Sequence, residues 1–101
     1  MRLDKWLWAA RFFKTRSLAQ QAIAAGKVKL NEARVKASHE IKVQDAVSVR
    51  AGDYEWRIVV KALSDKRGPA EEARKLYEET AESRAERARR RDLRRWGAEP
   101  A

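Results

Sequence analysis

The chain contains no cysteine, one histidine, one methionine, two prolines and four glycines in 101 residues. Without cysteine there are neither disulfides nor thiolate metal sites, which suits a reducing compartment. No apolar run approaches the ~20 residues that a membrane-spanning helix needs. The single histidine, His39, lies between Ser38 and Glu40. On an extended chain these neighbours face away from it, so no general acid–base pair is indicated. The sequence also lacks a phosphate-cradling glycine loop, a GxGxxG turn and any cluster with metal-ligand spacing. The expectation is a non-enzymatic protein with no cofactor, no metal and no small-molecule substrate. The start, Met1-Arg2-Leu3-Asp4-Lys5, carries an acid and no long apolar stretch, which argues against a secretory leader and for the cytoplasm. The length gives room for one domain with a modest core.

What the chain has in excess is positive charge. It carries 24 Lys and Arg against 15 Asp and Glu, a formal net charge of +9. Residues 1–50 hold eleven basic and four acidic groups, a net of +7, whereas residues 66–101 hold eleven and eight, a net of +3. An excess of this size points to a polyanionic partner.

Hydrophobic spacing places the charge on elements. At ~100° per residue, Leu3, Trp6, Leu7 and Ala10 share one stripe of a first helix over residues 3–12. Asp4, Trp8 and Arg11 fall on another face, where Asp4 complements the helix start or pairs with Arg11. Two tryptophans two positions apart cannot face one core, so Trp8 either packs elsewhere, against the C-terminal helix, or stacks on an unpaired base. Thr15 is a good N-cap for a second helix whose stripe is Ala19, Ala22 and Ile23, with Leu18 beside it, and Gly26 is its C-terminal stop. Strands are predicted at residues 28–30, 34–36, 47–50 and 55–61, with Trp56 in the sheet core. Asn31-Glu32-Ala33 joins the first two, and Ala51-Gly52-Asp53 the last two. Residues 64–69 read as a hinge, and residues 70–97 as one long basic helix that Gly97 and Pro100 stop. Trp96 either anchors that tail or stays exposed.

The pattern Arg2-Leu3-Asp4-Lys5, Arg11, Thr15-Arg16-Ser17, Ala19, Ile23, Gly26-Lys27-Val28-Lys29 and Asn31 resembles the S4-type RNA-binding domain. The likeness covers about residues 1–50. It implies an α+β fold, the S4-like (αL) motif of two short helices packed on a small, mainly antiparallel sheet, here followed by the C-terminal helix. Two positions depart from it: Asn31-Glu32 stands where the family usually has Asn-Gly, and Gln44-Asp45 where it has Gly-Asp. The segment Trp6-Leu7-Trp8 through Arg16, with the Arg-rich tail, resembles more narrowly the bacterial, ribosome-associated heat-shock protein 15 family. That resemblance implies binding to ribosomal RNA of the large subunit, and handling of stalled subunits that carry a nascent chain on tRNA.

The candidate RNA-binding residues are Arg2, Lys5, Arg11, Lys14, Thr15, Arg16, Ser17, Gln20, Lys27, Lys29, Asn31, Arg34 and Lys36. Arg16 opens the second helix, where free amides and the dipole favour a phosphate. Lys27 and Lys29 are two apart on a strand and project from one face, as do Arg34 and Lys36. Asn31 either reads a base edge or shapes the turn. Such a surface reads RNA shape and phosphates more than sequence. The bland alternative is a solvated basic face. In the tail, Arg87, Arg90, Arg91, Arg94 and Arg95 either add an RNA contact or are solvated, with Glu86–Arg90 as a supporting pair. The partner expected is structured RNA, ribosomal RNA or tRNA, bound by a monomer away from membranes. A protein-interaction module that docks an acidic partner on the basic tail is the alternative. Duplex DNA is weaker, because no helix shows a base-reading set.

Overall fold

A computed structural model describes residues 1–52 and 54–95. The expectations for Asp53, Trp96, Gly97 and Pro100, and for a helix end at residue 97, lie outside the described residues. So do those for the side chains of Arg94 and Arg95.

Two short helices, α1 (Leu3–Ala9) and α2 (Arg16–Ala24), pack on a sheet of strand order β1-β2-β3-β4, antiparallel throughout. The strands are β1 (Val28–Leu30), β2 (Ala46–Ala51), β3 (Tyr54–Val60) and β4 (Tyr77–Glu79). The predicted stripe of α1 is the core: Leu3, Trp6, Leu7 and Ala10 are all buried, against Ala19, Ala22 and Ile23 of α2. The inward residues Val28, Leu30, Val47, Val49, Ile58 and Val60 alternate with outward ones and close that core from the sheet side. The Trp6 indole donates to the Ala62 carbonyl at 3.0 Å, so the largest buried side chain also satisfies its polar atom. Leu18, beside the stripe of α2, is exposed.

α1 ends sooner than expected. Ala10 caps it and Arg11 turns to φ 65°, so residues 11–15 form the loop between the helices. Thr15 caps α2 as expected, its hydroxyl accepting from the Leu18 amide at 3.1 Å. Gly26 takes φ 77° at the C-terminal stop, where a Cβ would come within 3.3 Å of the Arg34 guanidinium.

The predicted strand at 34–36 does not form. The chain turns tightly at Asn31-Glu32, bridges Leu30 to Ala33, and leaves the sheet. It is drawn toward α1, where the carbonyls of Ala37 and His39 accept the first-turn amides of Asp4 and Leu3. Uncapped helix amides are costly when buried, and this segment satisfies them in place of a side-chain cap.

The long helix over 70–97 is also corrected. Residues 70–95 divide into a four-residue helix α3 (Ala70–Ala73), a 3-10 turn (Arg74–Leu76), β4, and α4 (Ala81–Arg95). Ala73 and Leu76 face inward, but Tyr77 then pairs with Val60 and Glu79 with Ile58, extending the sheet. Thr80 restarts the helix, its hydroxyl accepting from the Ser83 amide at 3.1 Å.

Candidate nucleic-acid interface

Asp4 organises the basic surface. It is fully buried, and Arg2 grips it with two hydrogen bonds at 3.1 and 3.0 Å. Gln20 donates to it from α2 at 2.8 Å, the Lys5 amide at 2.7 Å, and Arg16 approaches to 3.4 Å. Burial alone would push this carboxyl's pKa up. The bonds from Arg2, Gln20 and the Lys5 amide, with the field of Arg16, outweigh it and hold the group below its ordinary value. Three residues expected at the interface, Arg2, Arg16 and Gln20, are thereby brought onto one carboxylate. Both arginine side chains stay partly open, 46% and 40% exposed, and a guanidinium's five N–H groups leave donors for a second anion. The Asp4–Arg11 pair does not form: Arg11 instead donates to the Gly68 carbonyl at 3.0 Å.

Lys14, Thr15 and Ser17 are exposed at the start of α2, and Lys5 is half-buried on α1. Lys27 and Lys29 are exposed beside the buried Val28, as strand geometry requires. Arg34 is exposed but not free of structural work, since it donates to the Ala24 carbonyl at 2.9 Å and so caps the C-terminus of α2. Lys36 is exposed on an irregular segment, so its expected pairing with Arg34 across one strand face is lost. Asn31 shapes the turn. Its side chain accepts from the Ala46 amide at 2.9 Å and donates to Asp45 at 3.4 Å.

Asn31 and Glu32 have φ 49° and 68°, and Gln44 has φ 81°. Positive φ at both central residues is the two-residue hairpin turn that favours Asn-Gly. Both departures from the family pattern thus keep the backbone shape with a residue that fits it poorly.

The remaining aromatic residues settle at the core margin. Trp8 is half-buried against the core, and its carbonyl accepts from Arg67 at 3.1 Å. Trp56 is likewise half-buried rather than central, with the Arg87 guanidinium 4.7 Å from its ring centre. His39 is exposed. Sequence reasoning missed the buried acid Glu79, which accepts from Ser83, Tyr54 and Arg87. Burial opposes its charge, yet these bonds hold its pKa below the ordinary value. In α4, Glu86 accepts from both Arg89 and Arg90.

The S4 domain family model matches residues 1–47. Heat shock protein 15 of Escherichia coli K12 is 52% identical over 83 residues, covering 82% of this chain. The chain spans only 62% of that relative's length. A solved structure of heat shock protein 15 from Vibrio cholerae superposes with a TM-score of 0.89 at 46% identity, covering 93% of this chain and 95% of that one. The chain belongs to the heat shock protein 15 family of S4-domain proteins. The RQC P-site tRNA stabilizing factor of Streptococcus pneumoniae is a more distant relative, 35% identical over 85% of this chain and 97% of its own. The fold expected from the sequence, α+β with the S4 motif, is the one observed. The expected monomer is unsupported, and the solved Vibrio cholerae protein is trimeric. Among the described residues, no helix is long and apolar enough to cross a membrane.

Proposed function

We propose that this chain is a non-enzymatic, cytoplasmic RNA-binding protein that engages ribosomal RNA of the large subunit and handles stalled subunits carrying a nascent chain on tRNA. The observation that carries the reading is the surface around Asp4. One buried carboxylate presents two half-open guanidiniums, on a fold whose relatives are named for heat shock and for stabilizing P-site tRNA. A carboxylate that fixes arginines before binding lowers the entropy lost when they meet phosphate. Lys14, Lys27 and Lys29 extend the surface with exposed cations, and Ser17 adds a hydroxyl donor. Residues 1–63 are the proposed RNA-contacting unit, residues 64–69 its connection, and residues from 70 onward an accessory element.

The alternative, an acidic protein partner on the C-terminal helix, is weaker. Arg87, Arg89 and Arg90 already pair with Glu79 and Glu86. Cosedimentation tests the proposal. The chain is expected to pellet with purified large ribosomal subunits, and more with those carrying peptidyl-tRNA than with empty ones. Equal recovery with both, or none with either, would remove the ribosomal role.

A further inference from the structure

The loop after α1 leads into the basic surface on one side and walls a cavity on the other. Arg11 and Phe12 line that cavity together with Arg50 of β2, Trp56 of β3, Arg74 and Tyr77. Its volume is about 520 Å³, within the roughly 300–1,000 Å³ of small-ligand sites. Three rings converge there. The Phe12 centroid is 4.8 Å from that of Tyr77 and 6.0 Å from that of Trp56. All three are half-buried, so the cavity keeps aromatic surface open that a closed core would cover.

Charge narrows the occupant. Three arginines line the cavity, and among the described residues no acidic side chain does. Arg50 and Arg74 are exposed at its rim. Arg11, at φ 65°, has its guanidinium tied to the Gly68 carbonyl beside the cavity, which leaves Arg50 and Arg74 as the open cations. Aromatic rings beside guanidinium groups, with no carboxylate, match the chemistry of a stacked base and its phosphates. An acidic peptide would satisfy the arginines but leave the ring cluster unmatched. The cavity is also continuous in sequence with Lys14, Thr15 and Arg16 of the basic surface.

We propose that this cavity receives one unpaired nucleobase of the bound RNA. The base stacks on the Phe12–Trp56–Tyr77 cluster, and Arg50 and Arg74 meet the flanking phosphates. The inference rests on the RNA-binding reading above and adds a preference to it: RNA with an extruded or single-stranded nucleotide next to a helix.

Two hairpins with the same stem test it, one fully paired and one with a single bulged 2-aminopurine, each titrated with the full chain. The bulged hairpin is expected to bind roughly ten-fold tighter, with its fluorescence quenched by stacking. Arg74→Gln and Tyr77→Leu should each remove most of that preference while leaving affinity for the paired hairpin nearly unchanged. Arg74 is exposed, so its variant reports on the cavity even if the Tyr77 variant folds poorly. Equal affinity for both hairpins, or a preference that survives Arg74→Gln, overturns the cavity assignment. So does a glutamate-rich peptide that shifts the Trp56 indole resonance where the bulged hairpin does not. Lys29→Glu separates the two readings, because it should weaken both hairpins alike. Loss of no binding in that variant would count against the RNA surface and not against the cavity.

Discussion

At the scale of single residues, the informative positions are those where side-chain chemistry and environment disagree. Asp4 is an acid with no solvent exposure, kept charged by Arg2, Gln20, Arg16 and one backbone amide. Its folded-state pKa is lowered, so its stabilising contribution is present above the unfolded value of about 3.9 and is lost as pH falls through the folded one. Asp4→Asn should therefore cost about 1–3 kcal/mol at neutral pH, discounted for the half-open arginines. The gap between urea melts of the two proteins should begin to close as pH falls below about 4 and vanish only below the lowered folded-state value; a gap that stays constant into acid would show that the charge is not what stabilises. Glu32 and Gln44 disagree with their surroundings in another way, since both hold positive φ without being glycine. Glu32→Gly and Gln44→Gly should each raise stability by about 0.5–1 kcal/mol, the left-handed strain relieved less the entropy glycine adds to the unfolded chain. Thermal melting checks this, and a lower Tm in both would mean that the turns are not strained. The helical wheel set Asp4 apart from Trp6 correctly. What it could not supply was α2, which covers that flank and brings Gln20 and Arg16 onto it.

At the scale of elements, local signals and long-range ones separate clearly. The first helix, the Thr15 cap, the Gly26 stop and β1 were legible because caps and alternation are local. The segment at 34–36 was not, because the chain just after it is drawn away by α1, whose Asp4 and Leu3 amides bond the Ala37 and His39 carbonyls. β4 was missed because Ala73, Leu76 and Tyr77 satisfy a helical period as well as a turn into a strand, and only pairing with β3 decides between them. The Thr80 cap was a local signal for the break, sitting ahead of Ser83. Ser83 also ties α4 to the sheet: its hydroxyl donates to Glu79 at 2.6 Å and accepts from the Arg57 amide at 3.1 Å. Ser83→Ala should cost about 1–3 kcal/mol by leaving a buried carboxylate oxygen and an amide short of partners. Hydrogen exchange should show the loss first as faster exchange in α4 and β4. Unchanged protection there would mean that Arg87 and Tyr54 suffice to hold the helix.

At the scale of the whole molecule, the charge is distributed by the fold rather than merely abundant. The first fifty residues carry a net of +7. Three of the four acids among them are engaged by the fold: Asp4 and Asp45 are buried and hydrogen bonded, and Glu40 pairs with the Met1 amino group at 2.6 Å, while Glu32 is exposed in the turn after β1. The exposed Lys14, Lys27 and Lys29 therefore meet a partner with few carboxylates to oppose it. In the tail, by contrast, Glu79 and Glu86 engage the guanidiniums of Arg87, Arg89 and Arg90. Both halves are basic by count, but among the described residues Arg87, Arg89 and Arg90 of the tail are already engaged by acids, while Lys14, Lys27 and Lys29 of the first half stand exposed. Which RNA fits it depends on the shape of the partner, which no residue count encodes.

The central claim is that the α2–β1 face binds phosphates, and a salt titration of RNA affinity tests it most directly. For a hairpin of ribosomal RNA, log affinity should fall linearly with log salt, by about 0.7–0.9 per phosphate neutralised. Arg16→Glu and Lys29→Glu should each weaken binding by roughly ten-fold near physiological salt and flatten the slope by about one, with an unchanged circular dichroism spectrum. Affinity and slope that match the unaltered chain in both variants would contradict the account.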